Sequence, residues 1–591
     1  MKLFFFLLCA LCICSQAQTN FPEWSKGIVW YQIFPERFAN GDPSNDPDFR
    51  KVLGHDSNNT KWKVRNWTSD WFAQEEYEQK LPCRFRDKLS LRRYGGDIKG
   101  IIDRIDYLNN LGVDAIYLNP VFEAVSHHKY DGAYFHHIDV NFGPDPEGDK
   151  KLLQSEVPDD ISTWTWTSAD KLFLQLIREL HKRKMYIVID GVFNHTGREF
   201  FAFNDIVNNG RNSRFSDWYL IKEFDDHSTE KNEFDYKGWW NSKYLPEFNR
   251  NKEDLAEGPK QYIFDSVRRW MDPNEDGNPE DGIDGWRLDV ARDVPIGFWK
   301  EWSKLVKSIN PKAYITGELW ELSPEFVGRG DVFDALMNYN FAFAVNNFFI
   351  ARDKKIGIDE FKEKLEEIFN SYPMETCHIL MNLLDSHDTD RLSSMILNPD
   401  REYDRNASED NQEYNPAKPG KNVYDYMKLI IAFQMTWLGS PMIYYGDEAG
   451  MWGADDPHDR KPMLWDDLIY SNETIDAASG FKKGWGTYEV KADKNLIYYY
   501  KHLIKIRKNT PALKYGSVKF LNNENKNLVA FVREYNNSKC FVYINPSEEE
   551  IRVKLPSNNL QELLTEKEII QKDNFILTIA PGSVQILNSP R

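Results

Sequence analysis

The stretch from Gly285 to Trp320, GWRLDVARDVPIGFWKEWSKLVKSINPKAYITGELW, decides the fold. It opens on GWRLDV and closes on AYITGELW, two short β-prone runs that are nearly continuous in apolar character. Runs of that kind fit parallel strands buried on both faces. Between them PIGFWKEWSKLVKSIN carries a helical pattern, so the stretch reads as strand, helix, strand. Six further runs extend it: GIVWYQIF from Gly27, AIYLNPVF from Ala115, YIVIDGVF from Tyr186, DALMNY from Asp334, HILMNLLDS from His378 and PMIYYGDE from Pro441. Helical patterns alternate with them: IKGIIDRIDYLNNLG from Ile98, SADKLFLQLIRELHKRK with Ser168 read as its N-cap, GIDEFKEKLEEIFNSY, VYDYMKLIIAFQMTWLG and NLIYYYKHLIKIRKN. Eight strand–helix units predict an α/β fold, a (β/α)8 TIM barrel.

The 591 residues are too many for one core. Residues 1–17 read as a removable signal peptide, with Lys2 before an apolar stretch and Ser15-Gln16-Ala17 at the cleavage point. Export to the periplasm or beyond the cell is expected. The barrel is assigned to 18–513, with a small loop-inserted domain at about 197–258 after the third strand. Residues 514–591 alternate in short runs broken by Asn, Pro and Gly, which predicts a C-terminal antiparallel β-sandwich. A formal charge of −18 argues against nucleic acid or an anionic membrane as partner. No later segment reads as membrane-inserted, and the oligomeric state is left open. Cys83, Cys377 and Cys540 form neither a disulfide framework nor a metal cluster by spacing.

Asp289, Glu318 and Asp388 (in LLDSHDTDR) each stand where an apolar run meets a polar loop. Strand ends converge at one rim of a parallel barrel, so the three acids are expected together. Acids so grouped suit acid/base and nucleophilic attack on a neutral substrate, above all cleavage of a glycosidic bond. Arg287, two residues before Asp289 on a strand, points to the same side and can hold it ionised. A plain strand-end ion pair fits the same residues. Glu318 follows Asp289 by 29 positions, one strand–helix unit, which puts the two on neighbouring strands. A third acid, Asp388, would oppose ionisation around it and contact sugar hydroxyls. DGVFNH adds Asp190 to brace the rim and His195 to donate to a hydroxyl. ANGDPSND, with Asn40, Asp42, Asn45 and Asp46, offers oxygen ligands for a hard cation together with the Gly95 carbonyl and Asp97; a turn explains the same cluster.

In that order DGVFNH, GWRLDV, GELW and LLDSHD resemble the four signature regions of the α-amylase family of glycoside hydrolases. LPEFN, Leu245 to Asn249, resembles its fifth region, and GDEAGMWGADDPHDRKPMLW is similar to the neopullulanase and cyclomaltodextrinase branch. The resemblance implies Asp289 as nucleophile, Glu318 as general acid/base and Asp388 as transition-state stabiliser. It implies substrate contacts from Tyr130, His195, Arg287, His387, Asp456 and Arg460. It also implies Ca²⁺ as a structural ion at the Asn40–Asp46 cluster, and no organic cofactor. The implied substrate is an α-glucan oligosaccharide or polysaccharide; a transglycosylase or a non-catalytic carbohydrate-binding relative are the alternatives. The chain departs from the branch in three ways: the barrel begins within about ten residues of the predicted cleavage point, where the branch carries an N-terminal sheet domain; VARDV replaces VANEV after Asp289; and LPEFN differs from the branch's usual fifth region.

Overall fold

The computed structural model describes residues 21–53, 61–226, 228–481, 484–556, 559–565, 568–570 and 576–589. The expected leader therefore lies outside the described residues. Eight parallel strands form the central sheet: β1 (Trp30–Ile33), β2 (Ala115–Leu118), β3 (Tyr186–Gly191), β4 (Gly285–Leu288), β5 (Tyr314–Gly317), β6 (Ala335–Leu336), β7 (Met381–Asn382) and β8 (Ser440–Tyr444). Seven fall within the apolar runs, and β8 begins one residue before its run, at Ser440. The order is β6-β5-β4-β3-β2-β1-β8-β7. A parallel bridge from Met337 to Met381 joins the two ends. There the Asn338 N–H donates to the Met381 carbonyl at 2.8 Å, and the barrel closes.

Helices wrap the outside: α1 (Ile98–Leu111), α2 (Ser168–Lys182), α3 (Glu257–Met271), α4 (Ile296–Ile309), α5 (Ile358–Ser371), α6 (Lys421–Thr436) and α7 (Lys494–Asn509). Helix α1 starts at an Asp97 cap and stops at Gly112, whose φ of +101° a side chain would resist. Three expectations change. The cap of α2 is Thr167, whose hydroxyl accepts from the Asp170 N–H while Asp170 answers to the Thr167 N–H. Ser168 is the first helical residue, and its hydroxyl donates to Asp149 at 2.8 Å. Helix α3 is an addition to the expected helices: it follows the polar insertion and has Gly258 and Pro259 in its first turn, which mask its pattern, and Tyr262, Ile263, Val267 and Trp270 form its buried face. No helix lies between β5 and β6: residues 318–334 contain Pro324 and take positive φ at Gly328 and Gly330, so seven units rather than eight carry a long helix.

The layer between strands and helices is rich in tryptophan. Trp270, Trp286, Trp299 and Trp302 are fully buried. Trp302 meets Trp286 and Trp299 edge-on with centroids 6.0 and 5.7 Å apart. Truncating one such ring to Ala costs about 3–5 kcal/mol. The inserted region is more regular than its composition suggests: a helix (Phe201–Asn209) and a small hairpin (Ile221–Glu223 with Asp235–Tyr236) pack through Phe203, Tyr219 and Tyr236.

Beyond Ser517 a six-stranded antiparallel sheet faces a two-stranded one, Ile551–Lys554 with Ile576–Ile579. The period of two is visible in Val529–Tyr535. Val529 and Phe531 turn toward the barrel, while Ala530 and Val532 join Phe541 and Tyr543 inside the sandwich. Cys540 is buried on the barrel side. One buried arginine of this region, Arg533, fastens it to the barrel, while Arg507 of α7 serves the barrel itself. Arg507 donates to the Gly27 and Met435 carbonyls at 2.9 and 2.8 Å, and Arg533 to the Thr436 carbonyl at 2.8 Å. They satisfy carbonyls that the end of α6 leaves without partners.

Candidate active site

Leu288 pairs with Gly317 in the β4–β5 register, so the next residues, Asp289 and Glu318, stand side by side at the rim. Arg287, fully buried, reaches both: Nη1 lies 2.9 Å from Asp289 Oδ1 and Nη2 3.0 Å from Glu318 Oε2. The same Nη1 donates to both oxygens of Asp190 at 2.9 Å. Two further donors orient Glu318. The Val290 N–H reaches Oε2 at 2.9 Å and the Trp320 indole reaches Oε1 at 2.9 Å. Trp320 is itself stacked on Tyr339 at 3.8 Å.

Asp388 approaches from the β7 side. Arg460 Nη2 is 3.3 Å from Oδ1, and His387 Nε2 is 3.3 Å from Oδ2. A third of the Asp388 side chain is exposed, into the cleft. Arg460 also approaches Asp456 at 3.6 Å, and Arg86 holds Asp456 at 3.0 Å. Tyr130 joins this cluster. Its hydroxyl donates to Asp190 at 2.9 Å and lies 2.5 Å from His387 Nε2, and the Tyr130 and His387 rings stack at 5.3 Å. The structure thus joins Asp289, Glu318, Asp388, Arg287, Tyr130, His387, Asp456 and Arg460 in one contiguous network. Tyr117, which bonds Asp190 at 2.7 Å, and Asn119, which donates to Tyr130 at 3.0 Å, belong to it and were not singled out in the sequence. Both lie on or just after β2, and strand-end placement was the signal available.

Four carboxyls, from Asp190, Asp289, Glu318 and Asp388, surround two guanidiniums, from Arg287 and Arg460. That excess of acid favours a proton retained among them. Burial pushes the Asp289 carboxyl well above the usual carboxylate range, and Arg287 pulls the other way. Burial likewise pushes Asp388 up to about 7 against Arg460. His387 is held far below the ordinary imidazole value by burial, and His195 is brought down to about 3 by the same cause, so both rings are neutral at pH 7.

His195 is buried and stacks on Trp239 at 5.2 Å; its Nε2 has no hydrogen-bond partner among the described residues. Trp240 stacks on Trp239 at 5.0 Å and is 82% exposed. The VARDV departure has a structural reading. Asp293 accepts from the Trp239 indole at 2.8 Å, fixing this aromatic stack to the barrel. Arg292 is tied to Glu321 and Glu325 at 2.6 Å each. A cavity of about 400 Å³ opens on the far side of Trp320, lined also by Phe343, Tyr403 and Asp404.

At the proposed cation cluster the Asn40 amide donates to Asp46 at 2.9 Å. Asn40 Oδ1 and Asn45 Oδ1 are buried and have no hydrogen-bond partner among the described residues. Burial raises Asp46 to about 7, and Glu36, Asp97 and Asp42 add to the rise. A Cβ on Gly95 would fall 2.0 Å from Asp46 Oδ1, so only glycine fits there. Asp97 departs from the expected ligand set. Its oxygens already accept from Gly41 N (3.1 Å), Asp42 N (2.9 Å), Gly100 N (2.6 Å) and Asn45 Nδ2 (3.1 Å). Four donors fill the capacity of a carboxylate; Asp97 is a helix cap that shapes the cluster.

A closed parallel barrel with three acids, two guanidiniums and stacked aromatics at one rim is the architecture of a glycoside hydrolase. The family model described as alpha amylase, catalytic domain, matches residues 32–158 and 166–516, and the chain belongs to the α-amylase family. It is 35% identical over 573 residues to neopullulanase 2 of Thermoactinomyces vulgaris, covering 96% of this chain and 78% of that protein. Cyclomaltodextrinase of a Bacillus species is 34% identical over 529 residues, covering 89% and 73%. Among solved structures a cyclomaltodextrinase superposes with a TM-score of 0.70 at 29% identity, covering 97% of this chain and 80% of that one.

Proposed function

We propose that this chain is a retaining α-glucan hydrolase that cleaves α-1,4-glucosidic bonds of starch-derived maltooligosaccharides or related α-glucans by double displacement. The observation that carries the reading is the single Arg287 guanidinium shared by Asp289 and Glu318 on adjacent strands. It fits the roughly 5–5.5 Å carboxyl spacing at which a nucleophile and an acid/base work on one anomeric carbon. Asp289, aimed and charge-compensated by Arg287, attacks that carbon. Glu318 gives its proton to the leaving oxygen. The glucosyl–Asp289 ester forms as the glycosidic bond breaks. Water, deprotonated by Glu318, then cleaves the ester, and the product keeps the α configuration. Asp388, between Arg460 and His387, would bind sugar hydroxyls more tightly as positive charge develops on the ring. Tyr130 offers a face for the same sugar, and His195 a nitrogen for a hydroxyl. Asp456 and Arg460 would bind the neighbouring sugar.

The presence of all three acids speaks against a binding-only relative. One feature favours some transfer to sugar acceptors: the exposed Trp240 face at the end of the His195–Trp239 stack is a surface on which an acceptor ring can lie. We further propose Ca²⁺ at Asn40, Asp42, Asn45, Asp46 and the Gly95 carbonyl, as a structural ion that compensates the buried acid. Export of the mature chain is also proposed, on the leader alone. No helix among the described residues is long and apolar enough to cross a membrane.

Time-resolved product analysis on maltohexaose, pullulan and a cyclodextrin tests the reading. Maltose-sized products formed first in the α configuration are expected; β products would contradict it.

A further inference from the structure

We propose that His136, His137 and Glu156 bind a divalent transition-metal ion of the zinc type, at a site separate from the catalytic rim. His136 and His137 follow β2 in the loop that also carries Tyr130, and both are fully buried. Glu156 comes from the connection before α2, with its side chain 2% exposed. Glu156 Oε2 lies 2.8 Å from His137 Nε2 and 3.6 Å from His136 Nε2, and the three ligand atoms all fall within 4.8 Å of one another. Donors on a tetrahedral zinc with 2.0–2.1 Å bonds are roughly 3.3 Å apart, so small adjustments close the site.

Each ligand is oriented from behind. His137 Nδ1 is bonded to Asp170 at 2.8 Å, and His136 Nδ1 to the Tyr262 hydroxyl at 2.7 Å. Glu156 Oε1 accepts from the Thr165 N–H at 2.7 Å and its hydroxyl at 2.6 Å, which leaves Oε2 for the histidines. Carboxylate-backed imidazoles are characteristic of zinc ligands. Trp164 stacks on His136 at 4.1 Å and seals one side. A second observation is independent of this convergence: His136 Nε2 is buried and has no hydrogen-bond partner among the described residues. A metal ion satisfies it, and an ion pair between His137 and its two carboxylates does not. Two acids, Glu156 and Asp170, face one guanidinium, Arg269, at 3.1 Å from Asp170, so the pocket accepts further positive charge. Two imidazoles select zinc-like ions over Ca²⁺ or Mg²⁺. The bound ion would staple the Tyr130 loop, the segment bearing Glu156 and the start of α2.

The test uses the full chain without an affinity tag, stripped by chelator and reloaded with Zn²⁺ or Co²⁺. Elemental analysis should find about one zinc per chain more than in Glu156→Gln and His136→Ala. Co²⁺ should give the visible absorption of a four-coordinate nitrogen–oxygen site, and zinc should raise the Tm of wild type only. If a variant fails to fold, the wild-type cobalt spectrum and stoichiometry decide alone. Zinc content equal to that of the variants, or no cobalt absorption in wild type, would overturn the site and leave an ion pair only.

Discussion

Val290 donates its backbone N–H to Glu318 Oε2 at 2.9 Å, and it does so from φ 38°, ψ 46°, a left-handed conformation that a β-branched residue resists. Strain of about 1–3 kcal/mol is typical of such a position. It directs a hydrogen bond at the residue proposed as the acid/base, from the position directly after the proposed nucleophile.

Replacing Val290 with Gly should relieve that strain and keep the N–H. The variant is expected to melt no lower than wild type while retaining measurable hydrolysis. A fall of several degrees in Tm would show that the Val290 side chain, rather than its backbone, matters.

Glu318→Gln removes the transferable proton but keeps a hydrogen-bond acceptor for Val290. Turnover of maltooligosaccharides should fall about 10²–10⁴-fold, as for loss of a general acid. A substrate with a good leaving group needs less protonation and should lose less in the first step. Equal losses on both substrates would contradict the assignment.

Asp388 sets a pH dependence. Burial raises it to about 7, so the folded state holds the proton more tightly than the unfolded chain does. The stability it contributes is present below pH 4 and is lost as pH rises through about 7. Asp388→Asn should therefore gain in Tm relative to wild type between pH 5 and pH 8, while hydrolysis is largely lost. Parallel melts across that range check the sign; a variant that loses ground as pH rises contradicts it.

Removal of Ca²⁺ by a calcium-selective chelator should lower Tm, and added Ca²⁺ should restore it. Asn45→Ala should abolish the response. An unchanged melt with no calcium by elemental analysis would remove the ion from the account.

Much of the fold was legible in the sequence. The eight strands were readable because each is short, apolar and bounded by polar loops. Asp289 and Glu318 were readable because adjacent strands fix their neighbours in register. The rest depends on partners distant in sequence. Arg287 gripping Asp190, Asp289 and Glu318 together needs the β3–β4–β5 register. The saturation of Asp97 depends on the fold of the Asn40–Asp46 loop around it. The His136–His137–Glu156 convergence joins residues about twenty positions apart, across a short helix (Pro146–Leu153), with no motif spacing to announce it. The helix-free connection after β5 and the masked pattern of α3 show the converse, where glycine and proline outweigh the expected alternation.

The central claim is that Asp289 becomes covalently glycosylated. The most direct measurement is peptide mass spectrometry after brief reaction with a fluorinated α-glucosyl fluoride that forms the ester but hydrolyses it slowly. The account predicts one sugar on the peptide carrying Asp289, and none in Asp289→Asn of unchanged fold. A label on another carboxyl, no label despite turnover, or near-normal activity in Asp289→Asn would contradict it.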